Sequence, residues 1–325
     1  MANIEVKYIG LTLKSPVIAG SSGLTSSVDK IRQMEREGAG AVILKSLFEE
    51  QINYEAGSLM TGHGYPEAED YILNYTKSNS VEEYLRLIED AKKNVSIPVI
   101  ASINCVSSRD WLSFAKKIEE AGADAIELNV FFLPYDKNAP SAKYEDIYFD
   151  LALKIKKYVN IPVSMKLGNH FTNILSVIEK LRGIGIDGVV LFNRFYEPDI
   201  DIDNMKMVSA EVFSSPADIR HTLRWIAIIS GKVPRIDISA STGVHNGDGV
   251  IKQLLAGAQT VQVCSVLYKN GIEEIGKMNS RLDEWMKFKN FKSVNEFRGK
   301  MSYAKIEDPA VYERSQFMKY FSSIH

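Results

Sequence analysis

The chain has 325 residues, of which 45% are hydrophobic and 25% are charged, and its formal net charge is −2. This composition is ordinary for a globular protein, and the charge argues against a basic surface that would bind nucleic acid or an anionic membrane. Two cysteines, Cys105 and Cys264, are too few for a disulfide framework and lack metal-ligand spacing, so we expect reduced thiols and a cytoplasmic location.

The chain opens with two short segments, IEVKYIG and LTL, that alternate apolar and polar residues and meet at Gly10. A period of two is typical of β-strands, and glycine suits the turn between them. We therefore predict a small β-hairpin that closes the bottom of the main fold. Because this opening is short and interleaved with polar residues, we expect no signal peptide, and we expect no membrane-spanning helix in the chain.

A repeat of prolines and glycines then follows along the chain. Each of four prolines opens an apolar run, and a glycine comes 22 to 24 residues later, in the pairs Pro16 and Gly38, Pro98 and Gly122, Pro162 and Gly185, and Pro234 and Gly257. Proline suits the first position of a strand, and glycine suits the left-handed residue that ends a helix. Another apolar run follows each glycine. Four units of strand, helix and strand predict an α/β fold of the closed (β/α)8 TIM-barrel class.

The eight barrel strands are predicted near residues 16–21, 41–46, 98–104, 125–130, 162–168, 188–193, 235–241 and 260–265. Helices are predicted between them, including 28–37, 108–121, 144–159, 172–183, 216–230 and 247–256. Ser107 and Ser108 suit helix N-caps, and Ser215 followed by Pro216 suits a cap with proline at the first helical position.

Three segments interrupt the repeat, and each of them follows a strand. They are residues 47–80 after the second strand, 131–143 after the fourth and 195–215 after the sixth. Loops that follow barrel strands lie on the catalytic face, so we expect these insertions to form substrate walls or lids. The tail 271–325 is amphipathic and is predicted to be helical, within one domain that spans residues 1–325.

Polar residues cluster where the predicted strands end, and in a parallel barrel those ends meet at one mouth. In strand order they are Gly20, Ser21, Ser22, Lys45, Ser46, Ser102, Asn129, Lys166, Asn193, Ser241, Thr242, Gly243, Cys264 and Ser265. A lysine inside an apolar strand is costly unless it meets an anion or an electron-rich acceptor, and pairing with Glu127 is the purely structural alternative. The glycine turn and hydroxyls after the seventh strand, with the eighth strand beside them, predict a phosphate site.

These segments resemble the dihydroorotate dehydrogenase family, whose members bind flavin mononucleotide (FMN) on a barrel of this type. The resemblance is carried by SPVIAGSSG, GAGAVILKS, AIELNV, VSMKLG, ASTGVHNGDGVIKQLLAGAQTVQVCSVLYKNG and FKSVNEFRGK. It implies a class 1 FMN-dependent oxidoreductase that acts on CH–CH groups in pyrimidine biosynthesis, by hydride transfer between a pyrimidine-like substrate and flavin N5. It also favours a homodimer.

The resemblance implies roles for individual residues. All fourteen strand-end residues given above would bind FMN. Lys45 and Lys166 would tune the flavin, Lys45 also lying near the substrate, and Asn129 and Asn193 would hold the substrate. Thr61, in the first insertion, stands where the family has a substrate asparagine. No metal ion is implied.

The residues expected to contact the substrate depart from the family pattern. In the family, the loop after the fourth strand reads Asn-x-Ser-Cys-Pro-Asn or a close variant, and its Cys or Ser is the catalytic base. Here Phe132 stands at the position of that base and cannot accept a proton, and Pro134 replaces a substrate asparagine. His63 and His170 are the candidate replacements, because imidazole titrates near neutral pH, and the alternative for each is an ordinary loop histidine.

Several functions remain open at this point. The chain could be a dihydroorotate dehydrogenase-like enzyme that lacks the usual base, an FMN oxidoreductase for another pyrimidine or planar carbonyl compound, or a flavin-binding barrel without catalysis. A nucleic-acid enzyme related to the dihydrouridine synthases is disfavoured, because the chain is slightly acidic and has no basic face.

Overall fold

A computed structural model of the protein describes residues 2–48, 81–105, 112–195 and 197–314, with Cys105 described by its backbone alone. Within these ranges, eight parallel strands close into a barrel that is flanked by helices. The predicted (β/α)8 TIM barrel is therefore confirmed.

The strands in chain order are β1 Val6–Tyr8, β2 Leu11–Leu13, β3 Val17–Ala19, β4 Ala41–Ile43, β5 Leu47–Phe48, β6 Val99–Cys105, β7 Ala125–Val130, β8 Val163–Leu167, β9 Gly188–Leu191, β10 Pro198–Asp201, β11 Lys206–Ser209, β12 Asp237–Ser241 and β13 Thr260–Val263. The barrel order is β4, β3, β13, β12, β9, β8, β7 and β6, and pairing of β4 with β6 closes the barrel. Every predicted barrel strand is present, with its ends within about three residues of the prediction.

The described α-helices are Val28–Arg36, Val81–Asn94, Leu112–Glu120, Ser141–Tyr158, Ile174–Ile184, Ile219–Lys232, Gly247–Ala256, Ser265–Asn270, Glu274–Phe288 and Ala310–Glu313. Gly38, Gly122, Gly185 and Gly257 have φ angles of +86°, +94°, +104° and +122°. The four glycines of the repeat therefore adopt the positive φ that suits a residue just beyond a helix, as the repeat predicts.

The predicted cap before the helix Ile219–Lys232 is present. Ser215 and Asp218 form a capping box around a short 3-10 turn, Pro216–Asp218, with the proline near its start. Ser107 and Ser108, the other predicted caps, lie outside the described residues.

The opening hairpin closes the bottom of the barrel, as predicted. β1 pairs with β2 in antiparallel register, and both Tyr8 and Ile9 are buried. The Ile9 amide donates to the Asp237 carboxylate at 2.5 Å, at the start of β12. Gly188, at the start of β9, leaves room for this contact, because a Cβ there would lie 2.7 Å from Ile9 Cγ2. The hairpin thus covers the end at which the barrel strands begin.

Leu47 and Phe48, predicted as the first residues of the first insertion, instead form β5, which pairs in parallel with β6. Residues 49–80 lie outside the described ranges. The second insertion, 131–143, has no strand and runs into the helix Ser141–Tyr158. The third contains an antiparallel hairpin of β10 and β11.

The tail is helical only in part. It contains the helix Glu274–Phe288, but residues 289–309 run mainly in turns before the short helix Ala310–Glu313. Gly299 has a φ of +72°, which a continuous helix cannot contain. None of the described helices combines the length and apolar character needed to cross a bilayer.

Gly40 provides a test of the packing at the start of the barrel. A Cβ on Gly40 would lie 1.9 Å from the Ser15 carbonyl oxygen, whereas one on Gly183, exposed in the helix Ile174–Ile184, would meet nothing within 4 Å. Gly40→Ala should lower the free energy of unfolding by about 1–3 kcal/mol. Gly183→Ala should raise it by about 0.5–1 kcal/mol, because alanine loses less backbone entropy in a helix. Urea unfolding of both variants checks this, and equal stability of the two would contradict it.

Candidate functional site

A cavity of about 490 Å³ lies at the barrel mouth, where β3, β8, β12 and β13 end. The predicted cofactor residues that line it are Gly20, Ser21, Ser22, Lys166, Asn193, Ser241, Thr242, Gly243, Cys264 and Ser265. These residues lie far apart in the sequence, so closure of the barrel is what brings them together.

The turn after β3 forms one lip of this cavity. The Gly20 amide donates to the Val263 carbonyl at 2.9 Å, which ties the end of β3 to β13. The Ser22 hydroxyl accepts from the Leu24 amide at 3.3 Å and caps a 3-10 turn. A Cβ on Gly23 would lie 2.9 Å from the Tyr268 hydroxyl oxygen, so the bare backbone can approach that tyrosine.

The turn after β12 forms the opposite lip. Thr242 and Gly243 have φ angles of +76° and +84°, and the Thr242 hydroxyl donates to the Phe192 carbonyl at 3.1 Å. A Cβ on Gly243 would lie 2.1 Å from the backbone nitrogen of Ile219. Only glycine therefore fits at position 243, and its backbone reaches the start of the helix Ile219–Lys232.

Hydroxyl contacts join the third insertion to the end of β13. The Ser265 hydroxyl accepts from the Ser214 amide at 3.0 Å, and the Ser214 hydroxyl lies 3.0 Å from His245 Nε2. Lys269 Nζ donates to the Ser214 carbonyl at 3.2 Å. Burial lowers the pKa of His245, and the charge of Lys269 lowers it further. His245 therefore supports the loops around the cavity as a neutral ring.

A charged network lies one layer deeper in the barrel. Gln262 Nε2 donates to Glu127 Oε2 at 2.7 Å, and Lys166 Nζ donates to Gln262 Oε1 at 3.3 Å. Lys166 Nζ also lies 3.9 Å from Glu127 Oε1, and Glu127 is 1% exposed. Burial raises the pKa of the Glu127 carboxyl, while the Lys166 charge and the Gln262 hydrogen bond oppose the rise. Lys166 thus both pairs with Glu127, the structural alternative, and lines the cavity.

Cys264 also lines the cavity, where it interacts with Ser22 and with the charge of Lys166. Burial raises the pKa of its thiol, against the opposing effects of a hydrogen bond to Ser22 and the charge of Lys166. The side chain is therefore a neutral thiol at neutral pH, and it contributes polar lining rather than a reactive thiolate.

The two predicted substrate asparagines are in contact. Asn193 Nδ2 donates to Asn129 Oδ1 at 2.7 Å. Strand register places Asn129 beside Lys166 on β8 and beside Asn104 on β6. The bond between the two amides leaves the Asn129 amino group and the Asn193 oxygen able to meet a ligand.

Lys45 and Ser46 line a second cavity, of about 190 Å³, beside the first. The Ser46 hydroxyl lies 3.1 Å from the Ser21 hydroxyl and 2.8 Å from that of Ser102, which is buried. A row of hydroxyls therefore connects the two cavities. Among the predicted cofactor residues, Lys45, Ser46, Ser102 and Asn129 do not line the cavity of about 490 Å³ as far as the described residues define it.

Aromatic rings occupy the loops beside the asparagine pair. Phe131 stacks on Phe195, with ring centroids 4.1 Å apart. Phe132, which the resemblance places at the family's base position, meets the Tyr148 ring edge-on at 5.9 Å and packs against the core. The side chain at that position is therefore held in apolar packing.

Of the two histidines predicted as candidate bases, the structure describes only His170. His63, like Thr61, lies outside the described residues. His170 lies in the loop after β8, where its ring stacks on that of Phe171 at 4.9 Å. Both of its ring nitrogens are buried and have no hydrogen-bond partner among the described residues, and burial lowers the pKa of His170. His170 is therefore a neutral imidazole within an aromatic cluster.

Several residues that line the cavity were not predicted from the sequence. Gln262 lies between two valines in β13, and a polar residue inside such a buried strand is a signal that could have identified it. Phe213, Ser214 and Tyr268 also line the cavity. Nothing in their local sequence distinguishes them, because they reach the cavity through the course of the third insertion and the helix after β13.

Comparison with known proteins gives a family match across most of the chain. A family model described as dihydroorotate dehydrogenase matches residues 3–286. The chain is 26% identical to a dihydroorotate dehydrogenase B (NAD(+)) catalytic subunit of Methanocaldococcus jannaschii, over 88% of this chain and 94% of the relative. It is 26% identical to the protein of the same name from Thermoplasma volcanium, over 92% and 98%. It is 25% identical to dihydroorotate dehydrogenase A (fumarate) of Lactobacillus delbrueckii, over 83% and 89%.

Glu127→Gln tests the charge of the buried network. The folded protein raises the pKa of Glu127 above its ordinary value of 4.5, so the protonated acid stabilises the fold and ionisation removes this stability as the pH rises. The thermal midpoint of the wild type should therefore fall relative to that of Glu127→Gln as the pH increases from 4.5 towards 8. The exposed change Glu5→Gln serves as the control. Parallel pH profiles for the wild type and Glu127→Gln would contradict the assignment.

Proposed function

This chain belongs to the dihydroorotate dehydrogenase family, and on that premise we propose that it is an FMN-dependent oxidoreductase acting on CH–CH groups. The reaction proposed is hydride transfer between a planar, pyrimidine-like substrate and the flavin. A role in pyrimidine biosynthesis, a homodimer and a cytoplasmic location are proposed from the family resemblance. The relatives named catalytic subunits also suggest a second subunit as a partner.

The cavity at the barrel mouth is the observation that carries this proposal. Its volume of about 490 Å³ is within the range of cofactor sites. The turn at Gly243 brings bare backbone to the cavity beside the hydroxyls of Ser241 and Ser265, which suits a phosphate group. Lys166 also lines the cavity and brings a cation to it, which suits the electron-rich edge of a flavin ring. The residues present therefore fit FMN.

FMN, when bound, supplies the two-electron chemistry, and the chain's own residues supply binding and charge. Glu127 and Gln262 hold the Lys166 ammonium towards the cavity. Asn129 and Asn193 present one donor and one acceptor from their hydrogen-bonded pair. Ser241, Thr242, Gly243, Cys264 and Ser265 would hold the phosphate end.

The substrate side supports a second candidate, an FMN oxidoreductase whose planar substrate differs from dihydroorotate. At the position of the family's base, Phe132 packs edge-on against Tyr148 and has no group that can take a proton. A substrate whose reaction needs only hydride transfer, or whose proton comes from water, would tolerate this phenylalanine.

FMN binding is the first test. The purified protein should be yellow, or should become yellow with added FMN and show a flavin absorbance spectrum. Gly243→Ala should weaken FMN binding at least tenfold, because the new Cβ would collide with the Ile219 backbone and displace the turn. Gly183→Ala is the matched control and should bind FMN as the wild type does. A wild-type protein that stays colourless after incubation with FMN would disprove the proposal.

Dihydroorotate turnover is the second test. Proton transfer by a positioned group contributes roughly 10²–10⁴-fold to rate, so the FMN-loaded protein should oxidise dihydroorotate slower by about this factor than a relative with a Cys or Ser base. Anaerobic bleaching of the flavin band by dihydroorotate gives the rate, with the enzyme from Lactobacillus delbrueckii as comparator and dithionite reduction as control. A rate within tenfold of the comparator would contradict the role given to Phe132.

A further inference from the structure

The ends of β7 and β9 carry the same short pattern. Asn129 is followed two residues later by Phe131, and Asn193 is followed two residues later by Phe195. The two asparagines share a hydrogen bond of 2.7 Å, and the two phenylalanine rings stack at 4.1 Å with an angle of 29° between them. The two strand ends therefore meet twice, first through their amides and then, one step further out of the barrel, through their rings.

β8 lies between these two strands, and the loop that follows β8 adds a third ring beside the two stacked phenylalanines. Gly168 follows its last residue, and a Cβ there would lie 2.6 Å from His170 Nδ1 and 2.9 Å from Phe195 Cζ. The space that a side chain at position 168 would take is therefore filled by these two rings. His170 also meets Phe131 edge-on, with ring centroids 5.7 Å apart. Phe131, His170 and Phe195 form one continuous group, named here the aromatic layer.

The aromatic layer carries no charge near neutral pH. His170 is neutral because burial lowers its pKa and because, within the part of the chain that the structure describes, neither buried ring nitrogen has a hydrogen-bond partner. Arg194, which precedes Phe195, is already engaged by the Asp218 carboxylate at 3.2 Å, by Glu197 at 3.5 Å and by the Glu211 carbonyl at 2.7 Å. A ligand carboxylate placed against the aromatic layer would lose hydration without gaining Arg194 as a new partner.

We propose that the substrate ring bound beside the asparagine pair is uncharged and packs against the aromatic layer, in place of a carboxylated dihydropyrimidine. This inference rests on the proposed function, since it names the substrate class of the same site. The Asn129 amino group and the Asn193 oxygen would meet an amide-like edge of the ring, which has one acceptor and one donor. Phe131 and Phe195 would contact its apolar or π-rich part. The specificity-determining residues are therefore Phe131, Phe195 and His170.

Orotate and its methyl ester form a matched pair of probes, because they share one ring and differ in the charge of the carboxyl group. In titrations of the FMN-loaded protein at pH 6.5, followed by the flavin band, the ester should bind at least tenfold more tightly than orotate. Equal or tighter binding of orotate, or no response to the ester, would overturn the inference. Calorimetric titration makes the same comparison without relying on the flavin signal.

Two variants test whether the aromatic layer binds the methyl ester. Phe131→Leu and Phe195→Leu should each weaken binding of the methyl ester about tenfold while leaving FMN affinity unchanged. Phe291→Leu is the control, because Phe291 packs with Trp285 and Phe297 in the tail. Unchanged ester binding in both variants would overturn the inference. A wild-type protein that takes up no FMN would instead disprove the proposed function, so the two failures are distinguishable.

Discussion

The Glu127 carboxyl is 1% exposed inside the barrel, and two polar side chains that line the cavity, those of Gln262 and Lys166, contact it. An ionised acid in such a place loses most of its hydration, so it needs close partners. Gln262 donates to it at 2.7 Å, and the Lys166 ammonium lies 3.9 Å away. Because the Gln262 amide is orientated by this bond, its oxygen must face Lys166. One buried acid thus determines how a cation and an amide are presented at the barrel mouth.

The mouth divides into two sides of different chemistry. Around Gly243 and Ser265, glycine backbone and hydroxyls give a surface suited to a charged nucleotide. Around Phe131 and Phe195, rings cover the same rim with an apolar surface. A barrel of this class holds its strands constant while the loops after them vary, so one side can retain the family pattern while the other changes. On the proposed function, the side around Gly243 would bind the cofactor as in the family, while the side around Phe131 and Phe195 would determine which substrate is bound.

The fold was largely predictable because each barrel unit carries its own local signals. Gly185 and Gly257 have the positive φ angles that the repeat implies, and each strand gives an apolar run of its own. The prediction that Leu47 and Phe48 belong to the first insertion was wrong, since their pairing with β6 depends on a strand that lies far along the chain. Local sequence cannot show such a pairing.

The candidate site was predictable only where it coincides with strand ends. Lys166 and Asn193 were placed at the mouth by strand position alone, and they line the cavity. The stacking of Phe131 on Phe195 joins residues 64 positions apart in two different loops, and the bond between Asn129, at the end of β7, and Asn193 spans the same separation. These contacts follow from the curvature of the closed barrel, which no pattern along the chain encodes.

The hairpin at the other end of the barrel also depends on a residue far along the chain, and this dependence affects how the protein folds during synthesis. The Ile9 amide donates to Asp237, which lies 228 residues later in the sequence. At a synthesis rate of about 5–20 residues per second, roughly 10–45 s pass on the ribosome before that partner exists. During this interval the early strands present open edges, so nascent chains of this protein are exposed to aggregation until β12 and β13 have been synthesised.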